Sequence, residues 1–165
     1  MSLLAMTAIG LSVVCVLGWL VECYRRDATH ADLIWVLGLG GAALVYLIAG
    51  NGAIMPRWIA AALIGFWTLR LGSHILRRVL GESEEDGRYR AMRERLGGSI
   101  HLFHFFFFQA QGLLAWLFAL PFWVIATSPD AVPVPALAMG TGIGVLALTG
   151  EALADRQLAH WRAEP

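Results

Sequence analysis

Leu102–Ala126 reads LFHFFFFQAQGLLAWLFALPFWVIA, 25 residues without a single Asp, Glu, Lys or Arg. A bilayer's hydrocarbon core takes about 20 residues of helix to cross, so this run is long enough. Backbone groups in hydrocarbon have no water to bond, and a lone segment satisfies them only as a helix. Four more stretches read the same way: Leu3–Val21, Ala31–Ala49, Trp58–Leu76 and Val132–Leu153. Hydrophobic residues make up 58% of the 165, and mean hydropathy is +0.66. That is too apolar for a soluble domain of this length. The expected fold is therefore one all-α integral membrane domain, residues 1–165, with about five transmembrane helices. Trp19, Trp35, Trp58 and Trp123 fall near span ends, where indoles anchor at the interface.

Between the third and fourth spans lies Arg77–Arg95, RRVLGESEEDGRYRAMRER, with six of the twelve Lys+Arg residues, all of them Arg. Glu84 and Arg88, and Asp86 and Arg90, are spaced as i,i+4 pairs, while Tyr89, Met92 and Leu96 form an apolar stripe. This reads as a short amphipathic helix lying on the lipid headgroups. Its guanidinium groups also suit a bound phosphate, whose oxygens match the planar fork in pairs. Arg25, Arg26, Arg156 and Arg162 share the block's side of the membrane, and Arg57 stands alone on the other. The positive-inside rule then puts the block in the cytoplasm and the N-terminus outside, in a bacterial inner membrane. Net formal charge is zero, so no basic field points to nucleic acid.

The start, Met1-Ser2-Leu3, has no basic region, and Glu22 before Cys23 argues against a lipoprotein cleavage site. The first segment is read as a retained helix. Cys15 and Cys23 have no redox or metal spacing and are read as packing residues. His101 and His104 are spaced i,i+3, but no neighbouring acid or thiol in the sequence completes a metal set, so no metal is expected. Gly38-Leu39-Gly40-Gly41 imitates a dinucleotide fingerprint inside an apolar helix with no strand before it, and is set aside. Gly140 and Gly144 are a small-xxx-small pair that predicts a close helix contact. No nucleophile triad and no phosphate loop is present.

The third span ends in WTLRLGSHILRR, where Arg70, His74 and Arg77 share a helix face. Arg70 lies about 10 Å inward from Arg77. An unpaired charge there costs roughly 2.5 kcal/mol or more, so something must compensate it. In GEALADRQLAHWR, Glu151, Asp155 and Arg162 also share a face. Two readings follow. Arg70 or Arg77 pairs with Glu151 or Asp155 as structural ions, or the two stripes line a polar cleft that holds an anion. Asp32, at the start of the second span, is either a helix-end acid or part of that cleft.

Taken together, RRDATHADLIWVLG, WTLRLGSHILRR, EEDGRYRAMRE, QGLLAWLFALP and GEALADRQLAHWR resemble an uncharacterised, mainly bacterial membrane family, a domain of unknown function in the steroid 5-alpha-reductase-like superfamily. The strings run in family order from Arg25 to Arg162. The resemblance implies NADPH-dependent reduction of a conjugated carbon–carbon double bond in a lipid or steroid-like substrate. It implies His74 in the place of a proton-donating Tyr and Arg77, Glu151, Asp155 and Arg162 as cofactor contacts; Arg70, from the polar cleft, and Arg78, beside Arg77, complete the candidate cofactor set. Glu151 stands where those reductases carry Asn, and their catalytic Gln-Glu pair has no clear match here, Asp32 being only a distant candidate. It further implies a C-terminal segment beyond Arg162 that supplies much of the cofactor pocket, so this chain is expected to be truncated. The alternative is a non-catalytic membrane protein whose polar residues are structural ion pairs and whose Arg block binds anionic lipid.

Overall fold

A computed structural model describes residues 1–81 and 84–163, with the side chains of 159, 162 and 163 left aside. The chain forms α1 (Leu3–Arg25), α2 (Ala31–Ala49), α3 (Ile54–Gly81), α4 (Gly87–Leu96), α5 (Ile100–Thr127) and α6 (Val134–Ala163). A single 3-10 turn, Gly97–Ser99, joins α4 to α5. Five helices are long and apolar enough to cross a membrane, and the described residues contain no strand. The chain is thus an all-α integral membrane protein with a short helix between its third and fourth spans, as expected.

The helices outrun the apolar stretches that predicted them. Polar residues continue the helix of α1 to Arg25, of α3 to Gly81 and of α6 to Ala163. Ser2 starts α1 by accepting a hydrogen bond from the Ala5 amide at 3.3 Å. Arg26 ends it in the left-handed region, φ 55°, with its amide bonded to the Glu22 carbonyl. Pro133 sits just before α6 and Pro135 in its first turn, where a missing amide costs nothing. The lone Arg57 is used locally: its guanidinium donates to the Leu47, Ile48 and Gly52 carbonyls and caps the end of α2.

α2 is the most buried helix, packed between α3 and α5, and α1 lies against α5 while also touching α2. Their shared core holds Ala43, Tyr46, Ala119 and Ala126, while Cys15, Ala28, Tyr89 and Phe108 form a second cluster towards the arginine-rich end. α6 packs only on α3 among the helices in substantial contact with it, and no residue in its apolar window is buried. Lipid tails offer no hydrophobic drive to helix association, so close approach of small residues matters more here. A Cβ at Gly40 would collide with Thr68 of α3, whose Cγ2 would lie 2.6 Å away. The expected Gly140–Gly144 contact is half present: Gly144 meets Leu63 of α3, while among the described residues nothing lies within 4 Å of where a Cβ at Gly140 would stand.

Gly40→Ala should destabilise the bundle by about 1–3 kcal/mol through overpacking against Thr68. Gly41→Ala, whose Cβ meets nothing within 4 Å, should be neutral or gain ~0.5–1 kcal/mol from helix propensity. Thermal unfolding of the two variants in one detergent measures the contrast.

Candidate functional site

Arg70 and Trp67 are one turn apart on α3, and Glu151 and Asp155 one turn apart on α6. The two stripes face each other. Arg70 Nη1 donates to Glu151 Oε1 at 2.8 Å, and Arg70 Nη2 bonds Asp155. Trp67 Nε1 donates to Glu151 Oε2 at 3.1 Å. One guanidinium thus holds two carboxylates, and the cluster keeps a net negative charge. Its side chains are part-exposed, 20% for Arg70, 33% for Glu151 and 35% for Asp155, so both acids retain lone pairs for a ligand.

Below this cluster an apolar cavity of about 560 Å³ opens between α3, α5 and α6. Leu63, Ile64, Phe122, Leu137 and Ala147 line it, with Trp67 and Glu151 at the polar end. An apolar hollow with a few convergent polar groups is the usual form of a small-molecule site.

The other sequence candidates separate. His74 and Arg77 are exposed on α3, and neither has a hydrogen bond or ion pair among the described residues. Arg78 turns away from α6, with Nη2 3.2 Å from Asp32 and Nη1 3.6 Å from Asp86. Its Nε is buried without a hydrogen-bond partner among the described residues. Arg162 belongs to α6, but its side chain lies outside the described residues.

The Arg block packs as part of the protein. α4 begins at Gly87, so Glu84 and Asp86 precede it and the expected i,i+4 pairs do not form. Arg88 bonds Asp86 and Asp32 instead, at 3.1 and 2.7 Å, and Arg90 bonds Glu84 at 2.8 Å. Asp86 caps α4 by accepting from the Arg88 amide at 2.9 Å, and its own amide donates to Thr29 Oγ1. Tyr89, expected to face headgroups, is only 2% exposed and donates to Asp32 Oδ1. The Arg88 guanidinium bonded to Asp86 holds that carboxyl below its ordinary value of 3.8, outweighing burial, which acts the other way.

A second polar cluster joins α1, α4 and α5. Glu22 is fully buried, with Arg93 Nη2 3.0 Å from Oε1 and His101 Nδ1 3.1 Å from Oε2. His104 Nδ1 lies 3.0 Å from Oε1, in ion-pair range but off hydrogen-bond geometry. Arg93 also bonds Glu85, which accepts from the Ala28 amide. The sequence signal for this cluster was Glu22 at the end of an apolar helix, an expensive place for an unpaired acid. Its partners stand 71 and 79 residues away, so no local spacing shows them.

A family model described as "Protein of unknown function (DUF1295)" matches residues 18–165. No curated protein and no solved structure matches the chain.

Arg70→Ala should cost about 1–3 kcal/mol, between the values for exposed and buried pairs, because it strands two acids at membrane depth. Arg70→Met combined with Glu151→Gln and Asp155→Asn should recover most of that loss in thermal unfolding. Asp86→Asn keeps the cap and removes the charge. Since folding lowers the Asp86 pKa, its carboxylate stabilises fully above the ordinary value of 3.8 and loses this as pH falls through the lowered value. The stability gap between Asp86→Asn and the native chain should therefore be open at neutral pH and close on acidification below 3.8.

Proposed function

We propose, for a chain that belongs to the DUF1295 family of proteins of unknown function, a membrane-embedded reductase-like role on a hydrophobic substrate, with NADPH as cofactor. The supporting observation is the apolar cavity that ends on the Trp67–Arg70–Glu151–Asp155 cluster. The superfamily resemblance adds the chemistry. The arginine-rich end faces the cytoplasm in this reading, and the N-terminus lies outside.

The donor set suits a phosphorylated dinucleotide. Arg77, exposed and unpaired among the described residues, would hold a phosphate. Glu151 and Asp155 would accept hydrogen bonds from ribose hydroxyls or the amide, held in place by Arg70. NADPH, when bound, supplies a hydride to the β carbon of a conjugated double bond. His74, one turn from Arg70, would deliver the proton to the α carbon. The cavity between α3, α5 and α6 would take the apolar body of the substrate and exclude water. Arg78, bonded to Asp32 and Asp86, supports α4 in this reading.

One observation favours a non-catalytic reading: Arg70 is already matched by two acids, as a structural ion needs. Arg25, Arg26, Arg77 and Arg95 remain exposed without ion pairs among the described residues, and would attract anionic lipid.

NADPH fluorescence should show saturable binding to the detergent-purified chain. Arg77→Ala should abolish it while leaving the melting temperature unchanged. Absence of binding at millimolar NADPH, together with retention of anionic lipid through purification, would replace the reductase reading with the structural one.

A further inference from the structure

Glu22 and Glu85 share one guanidinium. Arg93 Nη2 is 3.0 Å from Glu22 Oε1 and 2.8 Å from Glu85 Oε1. One negative charge is left over, and Glu22 is 0% exposed. A buried charge of that kind calls for a further cation.

Two more metal-binding atoms surround the other oxygen of Glu22. Cys23 Sγ lies 3.6 Å and His101 Nδ1 3.1 Å from Oε2. Carboxylate oxygen, sulfur and ring nitrogen all lie within 4.8 Å of one another. Tetrahedral zinc bonded at its usual lengths sets such ligand atoms about 3.3–3.8 Å apart. His104 adds an independent sign: its ring is 0% exposed, neither nitrogen has a hydrogen-bond partner among the described residues, and Nδ1 lies 3.0 Å from Glu22 Oε1.

We propose that Glu22, Cys23 and His101 bind a divalent transition-metal ion of the zinc type, beside the buried and unbonded ring of His104. Thiolate, imidazole and carboxylate together are ligands such an ion takes. The charges also balance. Glu22 and the Cys23 thiolate neutralise the ion, while Glu85 neutralises Arg93. Glu22 offers Oε2 to the metal and keeps Oε1 on Arg93, so Arg93 is a positioning residue that fixes the carboxylate. Binding releases the Cys23 thiol proton to solvent. The site would clip the end of α1 to the start of α5. It is built without α3 or α6 and does not depend on the reductase reading.

Cobalt tests this directly, because a Co²⁺–thiolate bond gives a charge-transfer band in the near ultraviolet. The full chain in detergent, stripped with chelator, should bind one equivalent of Co²⁺ with that band, and Zn²⁺ should displace it. Cys23→Ser, which leaves Cys15 in place, should lose the band, and His101→Gln should weaken Co²⁺ binding tenfold or more. Zn²⁺ should also slow alkylation of Cys23 in the unmutated chain, a readout that needs no variant to fold. A chain without the band, an equal band in Cys23→Ser, or alkylation indifferent to Zn²⁺ would overturn the site.

Discussion

A guanidinium placed within a membrane-spanning helix must find its counter-charge inside the protein, and Arg70 finds it on α6. The rest of the arrangement follows from that requirement. α6 buries none of its apolar window, so packing alone gives it little hold. Hydrogen bonds from Arg70 and Trp67 to Glu151 and Asp155 fix its rotation and height against α3. Because the tie lies towards one end, the helices part below it and leave the apolar cavity.

The arginine-rich end obeys the same rule differently. Six arginines in a short segment would repel one another on a bare membrane surface. Here four of them, Arg78, Arg88, Arg90 and Arg93, are each bonded to acids. Asp32 alone gathers Arg78, Arg88 and the Tyr89 hydroxyl. α4 therefore closes the bundle end as a fitted part, with Tyr89 against Phe107 and His104. Asp86 serves at once as helix cap, ion-pair partner and donor to Thr29.

The five spans were legible because hydropathy over about 20 residues needs no knowledge of neighbours. The facing of Arg70 and Glu151 was legible for a related reason: a charge at that depth announces a partner, and α6 carried the acids at helical spacing. Helix starts were less legible. Because α4 starts at Gly87, three residues after Glu84, the expected Glu84–Arg88 pair is absent and Arg88 turns to Asp32. Helical spacing also grouped His74 and Arg77 with Arg70, yet α6 engages only the first. Least legible was the Glu22 cluster, because its parts come from three helices and local spacing carries no record of the fold's closure.

Synthesis runs from the N-terminus, and that gives the Arg70 ion pairs a timing. Glu151 follows Arg70 by 81 residues and Asp155 by 85. When α3 enters the bilayer during translation, its guanidinium has no acid waiting. It must snorkel, stay hydrated or linger beside the insertion machinery until α6 emerges. Arrival of α6 thus converts an unmatched charge into a neutralised one, and any pause in translation before Glu151 prolongs that exposure.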